Sequence, residues 1–121
     1  MKIMIKSSLL ELTPSIKQYI EEKFNDLDRF LEQWKDKDAI EARVEVARTT
    51  KHHYKGDVFY AEINLSFPGN NLRAEATTGD IYNSIDEIHN DIKRQLRKYR
   101  TGRMESIRKG ARKIKEWIRG I

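Results

Sequence analysis

The most pointed chemistry in this 121-residue chain belongs to its cations. Lys93, Arg94, Arg97, Lys98 and Arg100 fall within eight residues. Cations this close repel one another unless an anionic partner takes them. The chemistry open to them is phosphate binding, in which neutralised phosphates release counterions and supply most sequence-independent affinity. On a helix, Lys93, Arg97 and Arg100 line one side and Arg94 and Lys98 another. Two basic edges on one helix suit a groove between RNA strands, where shape and backbone are read rather than base edges. Lys23 and Arg29 on an earlier helix would widen such a surface. Arg48, Lys51 and Lys55 would extend it, and each of these five reads equally as an ordinary solvated charge.

Catalysis finds little support. The chain has no cysteine, hence no thiolate nucleophile, thiolate metal site or disulfide. His52 and His53 are adjacent in a polar loop, and neighbouring imidazoles rarely hold a metal without further ligands at known spacing. They read as solvated loop residues. His89 lies beside a helical apolar stripe and reads as packed or rim-exposed. No Ser, His and Asp fall into a triad motif. Gly56, Gly69 and Gly79 are isolated at loops, with no phosphate-cradling run. We expect no enzyme, no metal, no cofactor and no small-molecule substrate.

Charge distribution points the same way as the cluster. The net charge is +5, and 12 of the 24 Lys and Arg residues, but only Glu105 and Glu116 among the acids, lie from Lys93 onward. An acidic body therefore carries a strongly basic C-terminal quarter, which favours a polyanionic partner, nucleic acid before anionic membrane. The plainer reading is a basic tail that only aids solubility. No apolar run is long enough to span a bilayer and the N-terminus lacks a signal-peptide core, so a cytoplasmic protein is expected.

The elements that must position the cluster follow from periodicity. Asp80 to Arg100 reads as one helix with the stripe Ile81, Ile85, Ile88, Ile92, Leu96 and Tyr99, N-capped by Asp80. Acids lie towards its first half and bases in its last turns, complementing the dipole at the termini. Lys2–Lys6 alternates as a short strand. Thr13 and Pro14 form an N-cap and first helical position. The helix they open runs to Leu31 or Trp34, with Ile16, Ile20, Phe24, Leu27, Leu31 and Trp34 as its stripe. Ala39–Thr49 and Val58–Phe67 alternate cleanly, Phe59, Ala61, Ile63, Leu65 and Phe67 pointing inward. Pro68-Gly69-Asn70 is a turn, and Asn71–Thr77 completes a hairpin. The outward face holds Glu41, Arg43, Glu45, Tyr60, Glu62, Asn64, Arg73 and Glu75. The order β-α-β-β-β-α predicts an α+β fold, two helices packed on one face of a four-stranded sheet. Residues 1–100 form one domain. Residues 101–121 are a basic extension, weakly amphipathic through Met104, Ile107, Ala111, Ile114 and Ile118 and weakened as a helix by Gly110. It is a helix that orders on a partner or a flexible arm.

These residues resemble a known family, the ribosome hibernation-promoting factors, also called ribosome-associated inhibitor A or sigma-54 modulation proteins. Tyr60-Ala61-Glu62-Ile63 carries the likeness on the third strand and Leu72-Arg73-Ala74 on the fourth. Asp80-Ile81-Tyr82 with Ile85-Asp86, then Lys93-Arg94-Gln95-Leu96-Arg97-Lys98, looks like the family's second helix. LTPSIKQYIEEKFNDLDRFL resembles its first, with Lys23 at a commonly basic position. The likeness covers about residues 1–100. It implies a fold similar to double-stranded RNA-binding domains. It implies binding of the 30S subunit and the 70S ribosome in the mRNA channel, near the A- and P-site tRNAs. There the protein would block mRNA and tRNA and idle the ribosome under stress or in stationary phase. The helix cations, with Lys23, Arg29 and Arg73, would meet 16S rRNA. Long members carry a C-terminal dimerisation domain. Here only about twenty residues, seven of them Lys or Arg, follow the second helix, and we expect them to add rRNA contacts.

Two other readings remain at this stage. A general double-stranded RNA-binding module would bind duplex by shape, but modules of that kind begin with a helix, and KIMIK is a leading strand. A protein-binding regulator, as the sigma-factor name suggests, would show weak salt dependence where phosphate binding shows a steep one.

Overall fold

The computed structural model describes residues 1–32, 39–49 and 58–99. Trp34, Lys51, His52, His53, Lys55, Arg100 and residues 101–121 lie outside the described residues. The elements run β1 (Lys2–Ser8), α1 (Pro14–Asn25), a 3-10 helix (Asp26–Phe30), β2 (Glu41–Arg48), β3 (Phe59–Phe67), β4 (Asn70–Thr78) and α2 (81–99). The four strands form one sheet in the order β1-β2-β3-β4. β1 runs parallel to β2, with Ile3 opposite Ala42 and Ile5 opposite Val44. The other two pairs are antiparallel. Strand bounds differ from the sequence expectation by one or two residues, the usual uncertainty at element ends.

Alternation in the strands decides which face is covered. Ala42, Val44, Val46, Ala61, Ile63, Leu65, Phe67 and Ala74 are buried and share one core cluster with the stripes of both helices. The α+β architecture expected from the sequence is therefore the one observed, with the helical layer on a single face. Phe67 at the end of β3 meets Tyr99 of α2 edge-to-face, with ring centres 5.2 Å apart. The hairpin closes from Phe67 to Asn70, and Gly69 takes a φ of 83°, a conformation open to glycine without a Cβ penalty.

The first helix departs from expectation. Instead of continuing to Leu31 or Trp34, the α-helix ends at Asn25 and tightens to a 3-10 turn. Asn25, Asp26 and Asp28 are weak helix formers whose side chains compete for backbone groups. The change of period matters for the core. With three residues per turn, Leu27 and Phe30 fall on the same side, and both are buried. Phe30 falls at the margin of the stripe drawn at α-helical spacing, and the tighter turn brings it onto the buried side.

Both N-caps form as expected. Thr13 accepts the Ile16 amide at 3.2 Å, and Asp80 accepts the Tyr82 amide at 2.9 Å. Ser84, unremarked in the sequence, is fully buried. It donates to the Phe59 carbonyl at 2.8 Å and lies 2.7 Å from the Thr78 hydroxyl, tying the start of α2 to the sheet.

Candidate nucleic-acid interface

The buried stripe of α2 sets where its cations go. Ile81, Ile85, Ile88, Ile92 and Leu96 face the sheet. Gln95 donates its side-chain amide to the Arg73 carbonyl at 2.9 Å, clamping that flank to the edge strand β4. Arg94, Arg97 and Lys98 are exposed and Lys93 is half-buried. Helical spacing then leaves Lys93 and Arg97 on the flank towards α1, and Arg94 and Lys98 outward. Arg94 reaches back to Asp91 at 3.1 Å, an i,i+3 pair on the helix surface.

The two helices run parallel, because their contacts advance together. Tyr19 meets Tyr82 edge-to-face at 5.0 Å. The Tyr19 hydroxyl donates to Asp86, and the Lys23 ammonium lies 3.2 Å from the same carboxylate and 5.7 Å from the centre of the Tyr19 ring. One turn on, Phe24 packs against His89 at 5.6 Å. Asp26 then lies 3.6 Å from Arg29, 3.5 Å from His89 and 3.7 Å from Lys93. The Arg29 guanidinium also stacks over Phe30 at 4.9 Å. Partly exposed pairs of this kind each contribute about 0–1 kcal/mol. Their main effect is to aim Lys23, Arg29 and Lys93 along one seam. The 3-10 helix that follows α1 lies at the same end of the helical layer as Lys93.

Two titrations in the seam follow from this packing. The hydrogen bond to Asp86 pushes the Tyr19 phenol up to about 12. Burial, then the nearby Lys23, lowers the His89 imidazole below its ordinary value. The groups facing it are Lys23 and Asp26 from the α1 side and Lys93 from its own helix. In the unfolded chain His89 takes a proton near pH 6.5. The folded chain resists that proton. This contribution to stability is therefore complete above about pH 6.5 and is lost as pH falls towards the lower folded value. We expect His89→Leu to flatten the loss of stability between about pH 7.5 and about pH 5.5, read from urea unfolding. Neither ring nitrogen has a hydrogen-bond partner, so the substitution breaks no hydrogen bond at neutral pH.

Of the residues singled out in the sequence, Lys23, Arg29, Lys93, Arg94, Arg97 and Lys98 come together on the helical layer, towards its C-terminal end. Arg73 does not join them. It stands on the open face of the sheet, 2.7 Å from Glu62 and 3.1 Å from Glu75. Its hydrogen bond holds the Glu62 carboxyl below the usual range. Tyr60 lies 2.8 Å from Glu75 and 3.0 Å from Glu62, and burial with these bonds raises its phenol. Arg48 ends β2 beside Phe59, at the end of the sheet where α2 begins rather than where its cations lie. Sequence reasoning missed Asp26 and Asp86. Neither carried a signal in the sequence, because the expected helix runs past Asp26 and only the packing of α1 on α2 brings both acids to the seam. Among the described residues no cluster of His, Asp and Glu is placed to hold a metal, and no helix is long and apolar enough to cross a membrane.

Comparison with known proteins gives this geometry a context. A family described as sigma 54 modulation protein / S30EA ribosomal protein matches residues 3–104. A ribosome hibernation promotion factor of Deinococcus radiodurans is 33% identical over 84% of this chain and 50% of its own length. One from Staphylococcus aureus is 35% identical over 76% of this chain and 44% of its own length. The chain thus spans about half the length of the curated relatives it matches. The solved N-terminal domain of Thermus thermophilus Protein Y superposes with a TM-score of 0.67 at 28% identity, covering 83% of this chain and all of that one. A ribosomal subunit interface protein of Coxiella burnetii shares the fold, with a TM-score of 0.65 at 20% identity over 84% of this chain and 99% of that one.

Proposed function

This chain belongs to the sigma 54 modulation protein / S30EA ribosomal protein family, and on that basis we propose that it is a ribosome hibernation factor. It binds the small subunit in the mRNA channel, at the A- and P-site region, and holds the ribosome idle under stress or in stationary phase. Its partners are the 30S subunit, the 70S ribosome and 16S rRNA, met in the cytoplasm. It works by occupancy: phosphates bind its cations and its bulk excludes mRNA and tRNA, without turnover. The observation that carries this reading is the gathering of six cations from α1, the 3-10 helix and α2 onto one surface. Lys23, Arg29 and Lys93 face the seam, and Arg94, Arg97 and Lys98 lie along α2.

In this proposal Arg100 and the basic residues of 101–121 add rRNA contacts, and residues 1–100 are the ribosome-binding domain. Deleting 101–121 then weakens ribosome affinity and lowers its salt slope. Arg73 faces the opposite side of the sheet and is held by two carboxylates, so it is not part of the surface. Arg73→Ala is expected to change 30S affinity by less than about twofold, whereas loss of one phosphate contact lowers the salt slope by roughly 0.7–0.9. The functional test is occupancy of the channel. Purified 30S subunits preincubated with the protein should fail to load mRNA and initiator tRNA, read by primer-extension footprinting. Normal loading at saturating protein contradicts the proposal.

A further inference from the structure

Three nitrogen atoms converge on one carboxylate at the end of the helix seam. Asp26 is approached by Nε of Arg29 at 3.6 Å, Nε2 of His89 at 3.5 Å and Nζ of Lys93 at 3.7 Å. Every one of these distances exceeds the roughly 2.7–2.9 Å of a well-formed charge-assisted hydrogen bond. The carboxylate is shared among three groups, none of which it holds at short range. His89 makes this plainest. It is 5% exposed, and neither ring nitrogen has a hydrogen-bond partner. A buried polar atom left without a partner favours any better acceptor that can reach it. Asp26 lies where α1 passes into the 3-10 helix. Its side chain is 39% exposed, so it borders solvent and has room to turn outward.

We propose that this end of the seam is a phosphate-binding subsite, with Lys93, Arg29 and His89 as its ligands. Asp26 is an internal anion that fills it until an RNA phosphate takes its place. The proposal rests on the reading that this surface meets rRNA, and it deepens that reading by naming one subsite and what controls it. A phosphodiester carries the same single negative charge as the carboxylate it displaces. It offers two unesterified oxygens at a greater reach, so it can accept from Lys93 and Arg29 at shorter distance. The neutral imidazole supplies one N–H, which on Nε2 donates to the incoming oxygen. Because an anion leaves as another enters, the subsite contributes less affinity than its cations would alone. Asp26 therefore limits how tightly the protein holds its target.

The test is a double-mutant cycle on affinity for purified 30S subunits. Asp26→Asn keeps the side-chain shape and removes the charge, and Asp26→Ser empties the position. Each is expected to raise affinity roughly 3- to 10-fold at low salt. Each should also steepen the salt slope by roughly one phosphate equivalent. In a Lys93→Met chain the same substitutions should gain less than about twofold, because the subsite has lost its principal ligand. A general charge effect would instead raise affinity equally in both backgrounds, and that result overturns the subsite. Unchanged or weaker binding by both Asp26 variants, with melting temperatures near that of the native chain, also overturns it. If the native chain itself does not bind 30S subunits, the rRNA reading fails, and this inference falls with it.

Discussion

A chain carrying Arg94→Glu, Arg97→Glu and Lys98→Glu is expected to bind 30S subunits at least about 100-fold more weakly than the native chain at about 0.1 M salt. The size follows from counterion release. Each phosphate contact contributes roughly 0.7–0.9 to the slope of log affinity against log salt, so three contacts contribute roughly 2–2.7. At a tenth of the molar reference salt, that slope is about two to three decades of affinity. Reversal exceeds neutralisation because it adds repulsion. The difference should shrink as salt approaches 1 M, and equilibrium binding at several salt concentrations reads both the loss and its convergence. The fold should survive. All three side chains are exposed, the core stripe of α2 is untouched, and Arg94 loses only a surface pair with Asp91. Such i,i+3 pairs are worth a few tenths of a kcal/mol. A variant with native melting behaviour and lost affinity separates binding from stability.

Phe24→Ala should show the converse. Phe24 is fully buried in the core and packs edge-to-face on His89 across the helix seam. Truncating a buried phenylalanine to alanine costs about 3–5 kcal/mol in lost transfer energy and residual cavity. Against a typical domain stability of about 5–15 kcal/mol, that is a large share of the total. For a domain of this size the melting temperature should fall by roughly 15 °C or more. Phe24→Leu, which keeps most of the volume, should cost less than half as much. Thermal unfolding followed by circular dichroism measures both. Equal, small effects from the two substitutions would mean that the seam is not packed as described. Phe24→Ala should also weaken 30S binding, but only as far as it loosens the alignment of Lys23, Arg29 and Lys93.

Much of this architecture was legible in the chain because it rests on local rules. Alternation in Glu41–Arg48 and Phe59–Phe67 marks one buried face, since successive strand residues point to opposite sides. Thr13 and Asp80 announce their helices because only such side chains satisfy the free amides there. The 3-10 turn at Asp26–Phe30 escaped because it replaces one period by another over five residues. The direction of β1 beside β2 was likewise open, since parallel and antiparallel partners share the same alternation.

The site was legible as residue types rather than as a geometry. The spacing of Lys93, Arg94, Arg97 and Lys98 already separates two edges of one helix. It does not say that the first edge faces α1, nor that Asp26 and Asp86 stand across from it. Those pairings join residues more than sixty positions apart and depend on the helices being parallel. Arg73 shows the limit from the other side. Strand alternation turns it outward, but only the sheet register brings Glu62 and Glu75 to its guanidinium.

The most direct test of the central claim is sedimentation of the native chain with ribosomes through a sucrose gradient, at low and at high salt. The protein is expected to travel with 30S and 70S particles at low salt, to be released by high salt, and to stay at the top of the gradient when Arg94, Arg97 and Lys98 are reversed. A native chain that remains at the top at low salt, or that sediments equally at both salt concentrations, would contradict that claim.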